Sequence, residues 1–178
     1  ALAAGFASSA QAQPFPSKPV RLITLTTAGG TLDILARLIA DEIGKQLGQS
    51  VIVDNRVGAG GNVGAQALAR SDPDGHTIGM VTISTHGINP ALYGAGLRFD
   101  PVNDFEPITV AAVAKNVTVA HPSLPVKTVT ELAAYARQNP GKISFGSAGT
   151  GTSQHLCGEL VKMVAKIDMV HVPYRGAA

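Results

Sequence analysis

Residues 20–31 read Val-Arg-Leu-Ile-Thr-Leu-Thr-Thr-Ala-Gly-Gly-Thr, and this stretch decides the fold. The β-branched and apolar residues at its start predict a buried strand, and the small residues at its end predict a turn into a helix. The first N–H groups of a helix lack helical acceptors, so this turn places free amides where an anion can bind. The stretch therefore predicts an α/β fold with an anion-binding turn at the carboxyl end of its first strand.

Turns of the same kind occur four times, each after a short apolar run and each rich in glycine and hydroxyl residues. They cover residues 26–31, 57–62, 82–87 and 147–153. None of them contains lysine, so none is a Walker-type phosphate loop. Repeated anion-binding turns without an evident nucleophile or metal cluster favour a protein that holds a small carboxylate over one that transforms it.

Helices alternate with strands along the chain, which predicts parallel strand pairs in doubly wound sheets. Ligands of such sheets bind at the carboxyl ends of the strands, where the glycine turns fall. Strands are predicted at residues 20–26, 51–53, 77–82, 143–146 and 169–172. Helices are predicted from Thr31 or Asp33 to about Gly48 and at residues 62–70, 129–138 and 153–164.

Two apolar runs, Ile108 to Val113 and Val117 to Ala120, follow one another without a helix between them. They predict a strand that crosses from one lobe to another. We therefore expect lobe one to span residues 13–110 and lobe two to span residues 111–178. By the same alternation a further helix should follow, so the second lobe is expected to be incomplete in this chain.

The composition indicates a well-buried α/β core. Charged residues make up 15% of the chain and hydrophobic residues 45%, whereas charged residues reach roughly 25% in ordinary soluble domains. The formal net charge of +2 and the lack of a basic run argue against nucleic acid as a partner. No apolar stretch approaches the roughly 20 residues that a membrane-spanning helix needs.

The first twelve residues predict export. Residues 1–12 form a small, apolar stretch that ends in Ala10-Gln11-Ala12, a pattern typical of signal-peptide cleavage sites. We expect residues 1–12 to be the remnant of a signal peptide and the mature protein to begin near Gln13. The expected compartment is the bacterial periplasm.

Cys157 is the only cysteine of the chain, so no intrachain disulfide can form. It shares a helical spacing with Leu156, Leu160 and Val164. This pattern predicts a small buried hydrophobe rather than a reactive thiol.

An enzymatic function has weaker support than a binding function. A Ser/His/Asp triad could be assembled from Ser147, His86 and Asp33, and an α/β hydrolase could use Ser147 or Ser153 as its nucleophile. However, residues 146–149 read Gly-Ser-Ala-Gly and lack the G-x-S-x-G spacing of a nucleophile elbow. We therefore expect no catalytic activity and keep the hydrolase as the alternative.

Cofactor and metal sites have equally little support. The five histidines include no pair at i, i+3 or i+4, which a helical metal site would need. The glycine turn at residues 58–62 lacks the full G-x-G-x-x-G spacing of a dinucleotide site. The sequence thus predicts neither a metal nor another cofactor.

An ordered set of longer segments runs along the chain after Gln13. They are Pro16–Ile23, Gly29–Gly30 with Asp33–Arg37, Leu47–Arg56, Gly58–Gly64, Asp72–Thr77, Asn89–Tyr93, Ser147–Leu156 and Val170–Gly176. Taken together, they resemble the Bug-type receptors, which are the extracytoplasmic solute-binding proteins of tripartite tricarboxylate transporters. No single motif decides this resemblance, but the ordered set is specific.

The resemblance implies a two-lobed periplasmic-binding-protein fold of type II, with the ligand in a cleft between the lobes. It implies a receptor that captures a small carboxylate (a dicarboxylate, an amino acid or an aromatic acid) and delivers it to membrane transporter subunits. In the family, the turn at residues 147–153 holds a ligand carboxylate, the turn at residues 27–31 faces it and positions ordered waters, and residues 84–86 border the cleft. The implied ligand-binding residues are Thr27, Ala28, Gly29, Gly30, Thr31, Asp33, Ser84, Thr85, His86, Ser147, Ala148, Gly149, Thr150, Gly151, Thr152, Ser153 and His155.

The chain departs from the family at one of these turns. The family usually has Ala-Pro-Gly-Gly where this chain has Thr27-Ala28-Gly29-Gly30. The loss of the proline frees the φ angle at that position and would loosen or re-aim the loop.

Overall fold

The computed structural model describes residues 14–176, so the signal-like leader and its expected end near Gln13 lie outside the described residues. No helix within this range is long and apolar enough to cross a membrane. The elements in chain order are β1 (Val20–Thr24), α1 (Thr31–Leu47), β2 (Val51–Asn55), α2 (Asn62–Ala69), β3 (Thr77–Met80), α3 (Asn89–Tyr93), α4 (Val129–Gln138), β4 (Ser144–Ser147), α5 (Ser153–Ala165) and β5 (Val170–Pro173). Short 3₁₀ turns at Ala59–Gly61 and Gly94–Gly96 and a π-helical turn at Ser84–Ile88 complete this part of the chain.

The strands form two separate parallel sheets. The first has the order β2-β1-β3, with Val20 opposite Val51 and Arg21 opposite Thr77. The second pairs β4 with β5. The parallel α/β fold predicted from the alternation is therefore confirmed, while the boundary between the lobes near residue 110 stays a prediction.

The central strand β1 forms the core of the first sheet. Leu22 and Ile23 are buried there, and α1 covers Leu22 with Ala36 and Ala40. Small side chains on this face of the helix let it lie close to the sheet. The helix ends at Gly48, whose positive φ of 65° gives the left-handed cap that glycine adopts without strain.

The prediction that Cys157 is buried is wrong, because the thiol is exposed. Helix α5 packs on its sheet through Gly158, which leaves room for the ring of Phe145, and through Val161 and Ala165. The inward-facing stripe is therefore one residue out of phase with the stripe that contains Cys157. The glycine, which carries no hydrophobic signal in a sequence, sets this phase.

The crossing strand predicted between residues 108 and 120 is absent, since the structure assigns no regular element to this segment. Ile108 is 82% exposed and Val119 85% exposed. Among residues 14–176, no strand pairs with either apolar run. β-Propensity reflects packing on a pleated and half-buried surface, so an apolar run without a neighbouring strand does not become one.

The contact of α5 with its sheet gives a test of this packing. A methyl group at Gly158 would overlap the ring of Phe145, so Gly158→Ala should destabilise the protein by about 1–3 kcal/mol. Gly96 has open space around its Cα, so the control Gly96→Ala should change the stability by less than about 0.5 kcal/mol. Thermal unfolding of the two variants measures the difference. Equal stabilities would contradict the packing described for α5.

Candidate functional site

The glycine turns of the two lobes meet at the carboxyl ends of β1 and β4. A Cβ atom added to Gly60 would lie 2.5 Å from the carbonyl oxygen of Thr150, and one added to Gly151 would overlap Asn89 Oδ1. Both glycines have positive φ angles, of 62° and 81°. Any side chain at these two positions would push the lobes apart, so the close approach of the backbones requires glycine.

The first-strand turn lies at the same junction. A Cβ atom added to Gly176, just after β5, would lie 2.5 Å from Thr27 Oγ1. The structure therefore brings the turn after β1 next to the end of β5, and the turn after β4 next to Gly60 and Asn89. That the turn at residues 27–31 faces the turn at residues 147–153 across the site, as the resemblance implies, stays a prediction.

The turn after β4 is held rigid by its own hydroxyl groups. Ser147 Oγ lies 3.1 Å from both the amide nitrogen and the carbonyl oxygen of Gly149. Thr152 Oγ1 donates to the same Gly149 carbonyl at 2.6 Å. Both side chains are buried, at 7% exposure each, so solvent does not compete for these bonds.

Thr152 also caps α5. Its Oγ1 accepts a hydrogen bond from the amide of His155 at 3.4 Å. In the described part of the chain, no protein acceptor bonds the amides of Ser153 and Gln154, the first two residues of the helix. Two free amides and the positive end of the helix dipole therefore face outward from one rigid turn, which is the arrangement that binds a carboxylate.

Asp33 braces the turn after β1 instead of lining the site. Its carboxylate accepts hydrogen bonds of 2.9 Å from the Gly29 amide, from Arg37 Nε and from Asn55 Nδ2. The Arg37 bond above all, then the Gly29 and Asn55 bonds, holds the pKa of Asp33 far below its usual range. A carboxylate with three donors already bound has a structural role and would repel an anionic ligand.

Buried polar atoms without a hydrogen-bond partner collect around this junction. They include Thr26 Oγ1, Thr27 Oγ1 and Asn89 Oδ1. Asn89 is fully buried, and its Nδ2 donates to Asn62 Oδ1 at 2.6 Å. Because an unpaired buried polar atom costs free energy, these atoms are suited to a polar ligand or to water in the cleft.

Residues 84–86 contact the junction mainly through Thr85. A Cβ atom added to Gly61 would lie 2.9 Å from the Thr85 methyl group, and Thr85 Oγ1 shares a hydrogen bond of 2.9 Å with His86 Nδ1. The His86 ring packs against Phe105 and Phe99, with centroids 4.7 Å and 6.1 Å away. Burial lowers the pKa of His86. The ring therefore belongs to an aromatic cluster, and the buried Thr85 supports the Gly61 turn.

The hypothetical Ser/His/Asp triad does not form. The carboxylate of Asp33 bonds Arg37, the ring of His86 packs among phenylalanines, and Ser147 Oγ bonds a different histidine, His171 Nε2, at 2.7 Å. Ser147 also bonds both backbone groups of Gly149 and is buried, so it is not presented as a nucleophile. The hydrolase alternative has no support in this geometry.

Several residues at the site were not among the predicted ligand-binding residues. Asn89 and His171 reach the turns from other elements, and Asn62, at the end of the turn at residues 57–62, accepts from Asn89. Their sequence positions carry no spacing signal relative to residues 147–153. Within residues 14–176, no group of three or more His, Cys, Asp or Glu side chains could hold a metal ion.

Comparisons with known proteins show the family of the chain. A family model described as "Tripartite tricarboxylate transporter family receptor" matches residues 35–178. The chain belongs to this receptor family. A UPF0065 protein of Bordetella pertussis is 40% identical over 172 residues, covering 97% of this chain and 53% of that protein. BugT of the same species is 30% identical over 178 residues, covering 98% of this chain and 53% of BugT.

Solved structures of similar proteins share the fold of this family member. An R. palustris protein with adipate has a TM-score of 0.81 and 35% identity, covering 92% of this chain and 54% of that one. MatC from Rhodopseudomonas palustris with bound malate has a TM-score of 0.80 and 30% identity, covering 91% of this chain and 55% of that one. The chain thus spans about half the length of the relatives that it matches.

The bracing role of Asp33 gives a prediction with a defined pH dependence. Asp33→Asn should lower the melting temperature at pH 7, because an amide nitrogen would then face one of the three donors. The pKa of Asp33 is lower in the folded than in the unfolded protein, so its contribution is complete above the unfolded value near 4 and is lost at lower pH. The difference in melting temperature between wild type and Asp33→Asn should therefore become smaller below about pH 4.

The matched control is Asp41→Asn, an exposed carboxylate on the same helix that pairs only with Lys45. The melting temperature of this control should stay close to that of wild type over the whole pH range. A loss of stability in Asp33→Asn that is no larger than in Asp41→Asn would contradict the bracing role.

Proposed function

We propose that this protein is a periplasmic receptor that binds a small carboxylate between its two lobes and delivers it to the membrane subunits of a tripartite tricarboxylate-type transporter. The observation that carries the proposal is the N-terminus of α5, where the free amides of Ser153 and Gln154 follow a turn fixed by Ser147 and Thr152. The export of the receptor rests on the leader pattern at residues 1–12.

The amides at α5 would bind the first carboxylate of the ligand. Ser153 and Gln154 would donate from the backbone, and the hydroxyl of Ser153, at the first helical position, would add a third donor. Each charge-assisted hydrogen bond of this kind is worth roughly 1.5–3 kcal/mol. The same groups give no path to bond cleavage, which favours a receptor over an enzyme.

The opposite lobe would bind the rest of the ligand. The hydroxyls of Thr26 and Thr27 are buried without partners, and Thr27 lies at the junction with Gly176. They would donate to the ligand's second polar group directly or through water. Because the brace at Asp33 keeps this turn in place without the family's proline, the loop can keep its position although residue 28 is alanine.

A dicarboxylate is the ligand class that fits best. Two donor sets that face each other across a cleft suit a molecule with an acidic group at each end. The related R. palustris proteins were solved with adipate and with malate, and both of these are dicarboxylates. Malate and adipate are therefore the first compounds to test, followed by amino acids and aromatic acids.

The double variant Thr152→Ala/Ser153→Ala tests the site. It keeps the helix amides but deletes two hydroxyls, one of which fixes the Gly149 carbonyl and caps α5. We expect the affinity for the bound dicarboxylate to fall by about ten- to a hundredfold while the fold survives, since a lost cap costs only about 1 kcal/mol. Isothermal titration calorimetry on the protein in its full encoded length measures the change.

Thr128→Ala is the matched control, because Thr128 caps α4 in the same way, with its Oγ1 accepting from the Glu131 amide at 3.1 Å. This control should lose similar stability but no affinity. Unchanged affinity in a folded double variant would show that the turn is structural and that the ligand binds elsewhere. Turnover of any bound compound would favour an enzyme instead.

A further inference from the structure

Two histidines lie directly behind the turn after β4. The rings of His155 on α5 and His171 on β5 stack with their centroids 4.1 Å apart and their planes 28° apart. His171 also stacks on Phe145, with centroids 4.9 Å apart. Phe145, His171 and His155 thus form a stack of three rings next to the turn.

Each imidazole is bonded to one end of the turn. His171 Nε2 shares a hydrogen bond of 2.7 Å with Ser147 Oγ, at the start of the turn. His155 Nδ1 accepts from the Gly151 amide at 3.3 Å, near its end. His155 N in turn donates to Thr152 Oγ1. The helix start is similar to a capping box, except that the side chain at the third helical position is histidine and accepts from Gly151, the residue before the cap.

We propose that His155 and His171 are positioning residues that hold the turn at residues 147–152 in its binding geometry, His171 as a donor to Ser147 and His155 as a neutral acceptor from Gly151, so that ligand affinity falls when His155 takes up a proton. This inference rests on the proposed carboxylate function. His155 would act from behind the turn, because its Nδ1 already accepts from the Gly151 amide. It would not contact the ligand.

The hydrogen bonds explain why the neutral form is required. An imidazole nitrogen accepts a hydrogen bond only when it carries no proton. Protonation of His155 Nδ1 would turn the acceptor of the Gly151 amide into a second donor. The Gly151 amide would then lose its partner, and the end of the turn from which α5 begins would be released.

The surroundings of the pair set the sign of the pH dependence. The titratable or charged groups that face His171 are His155, Glu159 and Lys162, all on α5, whereas β4 presents only the uncharged Phe145 and Ser147. Burial first, then His155 and Lys162, lowers the pKa of His171, and Glu159 opposes them. The pKa of His171 therefore lies below its ordinary value, which favours the neutral ring.

A purely electrostatic effect would have the opposite sign. A positive ring behind the turn would attract an anionic ligand and raise its affinity in acid. We expect the loss of the turn geometry to outweigh this attraction. The sign of the pH dependence therefore separates the two effects.

The test compares wild type with the double variant His155→Asn/His171→Gln, in the protein in its full encoded length. The Asn side chain can keep an acceptor near the position of Nδ1, and the Gln side chain a polar atom near that of Nε2, but neither titrates. Calorimetry with malate and with adipate at pH 7.5 and at pH 5.5 gives, for each protein, the ratio of its affinities at the two pH values. From pH 7.5 to pH 5.5 the affinity of wild type should fall about three- to tenfold further than that of the variant. The change in the variant measures the effect of ligand titration alone.

A second variant separates positioning from simple structural loss. His155→Ala should bind roughly tenfold more weakly at both pH values, because no acceptor remains for the Gly151 amide. Rescue by Asn but not by Ala identifies the acceptor as the required group. Parallel pH profiles for wild type and the double variant, or a rise of wild-type affinity in acid, would overturn the inference.

Nuclear magnetic resonance of the ligand-free protein tests the coupling without any ligand. The amide resonances of Gly149 and Gly151 should shift with the same midpoint as the ring protons of His155 and His171. Amide shifts that stay constant through the ring titration would overturn the inference even if neither dicarboxylate binds. Absence of binding at every pH, with coupled titration intact, would contradict only the proposed dicarboxylate ligand.

Discussion

The geometry of the candidate site depends on the carbonyl group of Gly149. This oxygen accepts hydrogen bonds from Thr152 Oγ1 at 2.6 Å and from Ser147 Oγ at 3.1 Å, both from buried side chains. Thr152, fixed in this way, caps α5 and leaves the amides of Ser153 and Gln154 free at the start of the helix. A turn that is rigid before a ligand arrives loses little conformational entropy on binding, so the hydrogen-bond energy goes into affinity.

Most of the fold follows from local patterns. The alternation of apolar runs and helical segments predicted the parallel sheets. The bounds of α4 were predicted to the residue because Thr128 caps the helix by accepting from the Glu131 amide, while Glu131 accepts from the Lys127 amide just before the cap. Predictions failed where a long-range partner decides the outcome. The phase of α5 depends on the contact of Gly158 with Phe145, and the apolar segment at 108–120 has no strand beside it among the described residues.

The sequence predicts only part of the candidate site. Each turn is formed by residues adjacent in the sequence, whereas the residues that hold the turns in place come from distant parts of the chain. The turns at residues 27–31 and 147–153 could be found from glycine and hydroxyl content together with the family resemblance. By contrast, the close approach of Gly60 to Thr150 and of Asn89 to Gly151 joins residues far apart in the chain. Sequence spacing also gave no reason to assign Asp33 to bracing, since a carboxylate near a glycine turn reads equally well as a ligand-binding group.

The central claim is that the amides at the start of α5 bind a ligand carboxylate. A crystal structure of the protein in its full encoded length with malate or adipate tests it most directly. The account predicts one carboxylate of the ligand within about 3 Å of the backbone nitrogens of Ser153 and Gln154, with the rest of the ligand toward Thr27. A ligand bound away from this turn, with the two amides facing solvent, would contradict the account.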